Sequence, residues 1–362
     1  MENNWYNIFL YLRLMKNHKT KIELTGYSKN KINTMNGLLS TSNDPAFNLA
    51  TEEFLLRHTT KNLFFLYVNR PSIIVGKHQN TLGEINYQFV NDQQIPVYRR
   101  LSGGGTVYHD ENNLNFCFIE TGKKTDLVNF KRYSEPILHA LKQMGINATF
   151  GKRHDILIDG KKVSGNASHV YKSRVMHHGT LLYSSKLDVL NNALKTNPLL
   201  IKDKAVKSVR SEVTNISNHL DYRLSFQDFV KTIFNHLIKH YHNAPTLSLT
   251  KEETKQIQAL SDKKYNTWAW NYGYSPNYEL NKRIKLDNGT RIHNQIKIEK
   301  GLITTCQIKC SDQNLKPIFE KLSSDMIGVQ IHRNYIKDIL YSYKTDFNSK
   351  HAENQILDSF FA

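Results

Sequence analysis

Strand-like and helix-like segments alternate irregularly along this chain, and one pair of strands is joined by a turn of only two residues. Asp155-Ile-Leu-Ile leads into Asp159-Gly160, and Lys161-Lys-Val-Ser leads away. Asp-Gly between two such runs is a strong signal for a hairpin, because the turn needs positive φ at both central positions. Local antiparallel pairing within an irregular order of elements predicts an α+β fold. Its sheet is expected to be mixed, mainly antiparallel and flanked by helices.

Other elements fit this class. Asn43 or Asp44 can cap a helix whose first turn accommodates Pro45. Strands are expected over Leu63–Val68, Ser72–Val75 and Pro96–Arg100, with extended chain at Thr106–Tyr108 and Leu114–Ile119. Helices are expected over Glu84–Asp92, Phe130–Met144 and Phe226–Tyr241, and a further strand over His178–Tyr183. The length of 362 residues allows two domains. Polar residues around Asn243 and Pro245 suggest a division between a large unit, 37–245, and a smaller α+β unit, 250–362. The smaller unit includes Trp268-Ala-Trp270 and strands over Arg291–Ile298 and Leu302–Lys309. Residues 1–36, rich in Asn and Lys and without a sustained period, read as a poorly ordered extension, with Met35 a plausible initiator.

Composition narrows the partners. No apolar run approaches the roughly 18 residues of a membrane span, and no signal peptide is visible, so a cytoplasmic setting is expected. The three cysteines, Cys117, Cys306 and Cys310, form no disulfide framework and make a poor zinc site. A formal net charge of +17 favours anionic partners: nucleic acid, a nucleotide or an acidic protein domain.

Three clusters can carry chemistry. The first is Arg99-Arg100-Leu101-Ser102-Gly103-Gly104-Gly105-Thr106. Consecutive glycines allow close approach of backbone to a ligand, and their amides can point at an anion. The arginines add donors suited to carboxylate or phosphate. The bland alternative is a flexible surface turn, and the spacing fits neither a dinucleotide fingerprint nor a P-loop. The second is the hairpin. Pairing outward from the turn sets Ile158 opposite Lys161, Leu157 opposite Lys162, Ile156 opposite Val163 and Asp155 opposite Ser164. Alternation then places Asp155, Leu157, Lys162 and Ser164 on one face. Lys162 and Asp155 become diagonal neighbours, about 7–8 Å apart at Cα. An ammonium there can neutralise charge on a phosphoryl or carboxyl oxygen, although by the hairpin alone a solvated lysine is the better explanation. The third is His177-His178-Gly179-Thr180, where strand geometry sends at most one histidine to a site. His109-Asp110 is a weaker acid–base candidate for the same reason. No metal site is read from these histidines.

In order along the chain, these pieces resemble the signature series of lipoate–protein ligases and related lipoyltransferases. Arg99 to Asp110, Lys162-Val-Ser-Gly-Asn-Ala and His177-His-Gly-Thr-Leu-Leu carry the likeness. Asn48-Leu-Ala-Thr-Glu-Glu, Ile74-Val-Gly-Lys-His-Gln-Asn, Ser208 to Asn215 and Trp268-Ala-Trp-Asn-Tyr-Gly extend it. The resemblance implies the fold shared by biotin and lipoate ligases. It implies a reaction in which lipoate is activated by ATP, normally with Mg2+, to lipoyl-AMP and then passed to a lysine of an acceptor. The implied acceptors are acidic lipoyl domains of 2-oxoacid dehydrogenase complexes and the glycine-cleavage carrier protein. By the same resemblance Lys162 contacts both the lipoyl carbonyl side and the phosphate. Arg100 and Ser102, with Gly103, Gly104, Gly105, Thr106, Val107 and Tyr108, hold the activated ligand. Asp155 contacts the adenylate, His178 lies close to the lipoyl group, and the segment from Ser208 folds over the adenylate.

Two rivals predict different behaviour. A lipoyl-AMP-dependent lipoyltransferase would transfer without activating the free acid. A basic nucleic-acid-binding protein would explain the charge but leave the glycine run and Lys162 without a role.

Overall fold

The computed structural model describes residues 34–122, 128–347 and 349–362. The expected extension lies outside the described residues up to position 33. Its last two residues, Met35 and Asn36, belong instead to the first strand.

In chain order the described strands are β1 (Met35–Leu39), β2 (Asn62–Val68), β3 (Ser72–Val75), β4 (Val97–Arg99), β5 (Val107–His109), β6 (Asn113–Thr121), β7 (Ala148–Phe150) and β8 (Ile156–Ile158). They continue as β9 (Lys161–Ser164), β10 (Asn166–Tyr171), β11 (Arg174–Leu182), β12 (Ile201–Asp203), β13 (Thr246–Leu247), β14 (Tyr278–Lys285), β15 (Arg291–Glu299) and β16 (Leu302–Cys310). The helices are α1 (Pro45–His58), α2 (Thr81–Glu84), α3 (Tyr87–Asp92), α4 (Phe130–Gln143), α5 (Leu187–Ala193), α6 (Phe226–His240), α7 (Lys251–Leu260), α8 (Lys316–Asp325), α9 (Arg333–Tyr341) and α10 (Lys350–Asp358).

The main sheet runs β10-β11-β6-β2-β1-β13. Its β13-β1-β2 part is parallel and its β2-β6-β11-β10 part antiparallel, so it is mixed and mainly antiparallel. Every residue of β2 is buried, and its alternation serves two cores. Phe64, Leu66 and Val68 pack with Phe116 and Phe118 of β6 beneath α4 and α6. Leu63, Phe65 and Tyr67 pack with Cys117, Ile119 and the apolar face of α1. A central strand covered by helices on both sides gives this continuous apolar run.

The helix expected over Glu84–Asp92 is divided. Asn86 accepts from the Phe89 amide and caps a new helix, α3, so Ile85 and Asn86 are extended between two short turns. The strand at His178 begins earlier than expected, at Arg174, and is paired with β10. That hairpin turns at Lys172-Ser173, where Lys172 has φ +55 without a Gly, Asn or Asp to announce it.

The division of the chain also falls later than polarity suggests. β13 pairs with β1, and Ile257 of α7 and Tyr265 sit in the core beneath α1. The second unit is the sheet β12-β14-β15-β16 with α8, α9 and α10 over one face. Its edge strand β12 comes from the large unit, which stitches the two together.

Candidate active site

The glycine run joins β4 to β5, which flank β3 on its two sides. The connection crosses the end of β3 so closely that a Cβ on Gly76 would lie 2.2 Å from the Gly104 carbonyl oxygen. Gly104 itself has φ +86. Tight crossing and left-handed backbone are the reasons this stretch is glycine.

Arg99 and Arg100 point to different places. The Arg99 guanidinium donates to the carbonyls of Gly76 (2.9 Å), Gln79 (2.7 Å) and Trp270 (2.9 Å) and to Thr81 and Ser275 hydroxyls. It is fully buried and faces the Trp270-Asn271 segment, so the expected pair of anion-binding arginines is not formed. Arg100 folds over its own loop. Its Nη2 donates to the carbonyls of Gly103 (2.6 Å) and Gly105 (2.7 Å), its Nη1 to Ile74 and its Nε to Ser102 Oγ. Burial pushes both guanidinium pKa values down to about 10, which leaves them charged at neutral pH.

Behind Arg100 runs a relay. Ser102 Oγ lies 2.6 Å from His178 Nε2, and His178 Nδ1 lies 2.9 Å from the Glu52 carboxylate, which also accepts from Tyr67 OH at 3.0 Å. A carboxylate only accepts, so Nδ1 carries a proton, and Nε2 shares a hydrogen bond with the Ser102 hydroxyl. All three groups are buried. Glu52 is the nearby negative charge that opposes the Arg100 guanidinium.

The Asp159-Gly160 turn has φ +50 and +77, as a two-residue hairpin requires. Ile158 pairs with Lys161 and Leu157 with Lys162, but Ile156 pairs with Ser164 and not with Val163. A bulge absorbs the extra residue, and Val163 and Ile156 both reach the core. Lys162 remains on the open face and folds back over Gly165, where a Cβ would meet its Nζ at 3.2 Å. Its backbone pairs with Glu212 and Thr214. Burial pulls the Lys162 amine below the ordinary lysine range, and the Asp155 carboxylate partly restores it.

Among the cavities that Lys162 lines, two adjoin along the glycine loop. The smaller, about 310 Å³, has Leu49, Tyr67 and Ile74 as apolar wall, with Arg100, Gly104, Gly105, Asp155 and His178 around it. The larger, about 810 Å³, reaches across Tyr108, Leu190 and Ile201 toward Lys282 of the second unit. Thr106 and Val107 border both. Ser102 and Gly103 border neither; they act through Arg100, as the Gly103 carbonyl and Ser102 hydroxyl do.

The segment from Ser208 lines both chambers. Ser208 Oγ accepts from the Thr106 amide (2.9 Å) and from Gln79 Nε2 (3.0 Å), and it donates to Glu84. Burial raises the Glu84 carboxyl pKa. Sequence reasoning missed Glu52, Gln79 and Glu84. Glu52 and Glu53 were visible as two acids amid the apolar positions of α1, but nothing local tells which of them faces a pocket. Among the described residues no group of three or more His, Cys, Asp or Glu is placed to hold a metal. No helix among them is long and apolar enough to cross a membrane.

Comparison with known proteins identifies the family. Residues 44–238 match the lipoyl protein ligase A/B catalytic domain family, and residues 275–360 match the bacterial lipoate protein ligase C-terminus. Lipoate-protein ligase LplJ of Bacillus subtilis is 40% identical over 82% of this chain and 91% of its own length. Lipoate–protein ligase 1 of Staphylococcus aureus is 42% identical over 73% of this chain and 81% of its own. The human mitochondrial lipoyl amidotransferase LIPT1 is 33% identical over 81% of this chain and 82% of its own. In fold, the chain is similar to lipoate-protein ligase A bound with ATP (TM-score 0.57, 24% identity, 67% of this chain and 98% of that one). It is likewise similar to P. falciparum LipL1 in complex with lipoate (TM-score 0.58, 22% identity, 90% and 98%). With the glycine loop, the hairpin lysine and both domain types in place, the chain belongs to the lipoate–protein ligase family.

Proposed function

We propose that the two chambers carry out both half-reactions of lipoate ligation. The smaller holds the acyl chain, the larger holds ATP, and the wall they share presents Lys162. That shared position is the observation on which the reading rests. In the first step a carboxylate oxygen attacks the α-phosphorus and pyrophosphate leaves. Two anions must approach, and the ammonium of Lys162 with the loop amide of Gly105 offsets their repulsion. In the second step the acceptor lysine amine attacks the acyl carbonyl and AMP leaves. Neither step needs a covalent enzyme intermediate, so positioning and electrostatics supply the rate. Arg100 acts mainly by fixing the loop, since four of its hydrogen bonds already go to protein. Asp155 is the carboxylate of the smaller chamber, close enough to Lys162 to favour its charged form. A Mg2+ ion would be held chiefly by the triphosphate and water, with few protein ligands.

The acceptors in this reading are acidic lipoyl domains, drawn by the net charge of +17, and transfer slows as salt rises. The second reading is a transferase that takes preformed lipoyl-AMP and does not activate the free acid. Purified protein given lipoate and ATP should release pyrophosphate. Absence of pyrophosphate, with transfer from supplied lipoyl-AMP intact, would replace the first reading by the second.

A further inference from the structure

The sheet of the second unit has helices over one face, and its other face is open. Alternation turns Leu280, Ile292, Ile296 and Ile308 toward the helices. It sets Arg283, Lys285, Arg291 and Lys309 on the open face, where all four are exposed. The two ends of this face differ. Near β12 the charges balance: Lys202 stands opposite Glu279, Glu279 opposite Lys297, and Lys297 Nζ lies 2.8 Å from Glu299 Oε1. At the end where β14 turns into β15 they do not. Lys285 stands directly opposite Arg291, and His293 lies between Arg283 and Lys309 in a row across three strands. Burial and those two cations lower the His293 pKa. Among the described residues, none of the four cations has an ion-pair partner. Acids in the adjoining turns are engaged elsewhere: Asp287 lies 3.3 Å from His351, and Asp312 accepts from the Asn314 amide.

Like charges placed directly opposite each other destabilise a sheet. Folding gains nothing from such an arrangement, but an anionic partner offsets it. Nucleic acid fits this surface poorly. The open face carries no Phe, Tyr or Trp on which bases could stack, and the cationic end is small, about 7 Å along the strands and about 10 Å across them. An acidic protein needs neither stacking nor a long basic track. Lys282, beside Arg283 in β14 but on the opposite face, borders the larger chamber, so a partner held here is close to the site of transfer. We propose that this cationic sheet end is a docking surface for the acidic acceptor domain, separate from the chambers and carried by the second unit. The proposal rests on the acceptor class given in the reading above.

The test neutralises the surface in the full chain with R283Q/K285Q/R291Q/K309Q. It follows transfer from supplied lipoyl-AMP to a purified lipoyl domain of a 2-oxoacid dehydrogenase, which requires no activation step. At low salt the variant should show an acceptor KM about tenfold higher with kcat within about twofold, and NaCl at about 0.5 M should bring the two proteins together. Pyrophosphate release from lipoate and ATP should stay within about twofold of the parent. Removing opposed like charges should leave the denaturation midpoint no lower. As a control, K316Q/K321Q/K337Q/K350Q removes the same charge from the exposed sides of α8, α9 and α10 and should leave the acceptor KM near that of the parent. An unchanged KM in the sheet variant overturns the proposal, and so does an equal rise in the helix variant. Tighter binding of a duplex oligonucleotide than of the lipoyl domain, lost in the sheet variant, overturns it as well. If the parent transfers nothing from lipoyl-AMP, the reading of the reaction is what has failed. Calorimetric binding of the same lipoyl domain to parent and sheet variant then decides docking by the same tenfold difference.

Discussion

Two regions of this molecule are built from neighbouring residues of the same elements, yet they do different work. One is the pocket around Lys162; the other is the seam between α1, the 76–81 loop and the Trp270 segment. Of the adjacent arginines, Arg100 turns to the pocket and Arg99 to the seam. Of the adjacent glutamates on α1, Glu52 turns to the pocket through His178, and Glu53 to the seam through Lys264 (2.7 Å) and Tyr265. Strand geometry divides the arginines, since successive side chains leave a strand on opposite faces. The roughly 100° step of a helix divides the glutamates. Seam groups are saturated by protein: the Arg99 guanidinium is spent on carbonyls and hydroxyls. Pocket groups are held in readiness, as at Lys162. A saturated region stabilises, whereas an unsaturated one binds.

The largest effect should come from the pocket lysine. Lys162→Ala is expected to lower pyrophosphate release by about 10²–10³-fold. Its melting temperature should stay within about 2–4 °C of the parent. Near-normal release by this variant would remove Lys162 from the chemistry.

The seam should respond in the opposite sense. Arg99→Met strands several buried carbonyls and is expected to destabilise the fold by about 3 kcal/mol, measured by chemical denaturation. Release by the fraction that remains folded should stay far above that of Lys162→Ala. Parent-like stability with activity abolished would mean that Arg99 belongs to the pocket after all.

Acid should weaken both the main sheet, through His177, and the small β4-β3-β5 sheet, through His109. His109 and His177 are buried, which pushes each pKa down to about 3. In mildly acidic solution the unfolded chain then binds protons that the folded protein does not. Their contribution is intact above about pH 6.5 and is lost as pH falls toward 3, by up to about 1.4 kcal/mol per pH unit for each histidine. Denaturant midpoints at pH 7 and pH 5 measure it, and an unchanged midpoint refutes it.

The glutamates give the smallest and most discriminating contrast, about 1 kcal/mol each but in different assays. Glu53→Gln should lower stability and leave the lipoate KM alone. Glu52→Gln should raise that KM by about five- to tenfold, because the relay to Arg100 loses its charge. Equal behaviour of the two variants would erase the distinction between pocket and seam.

Much of this was legible in order along the chain. Local physics sets the Asp159-Gly160 turn, the Asp44 cap before Pro45 and the buried alternation of β2, because each depends on residues within a few positions. The same holds for the choice of Lys162 over Lys161, which follows from register counted from the turn. Resemblance of the ordered motifs brought the family and its chemistry.

Only the tertiary structure decided which of Arg99 and Arg100, and which of Glu52 and Glu53, faces the pocket. It alone showed that Arg99 is a structural clasp, that Arg100 holds its loop from within, and that β12 crosses into the second unit. It also turned His109 from a weak acid–base candidate into a buried, neutral ring. Hydrogen-bond partners such as His178 and Glu52, 126 positions apart, leave no trace in local spacing, because packing across the sheet brings them together. Sequence fixes which face of an element a residue occupies; the fold determines what that face meets.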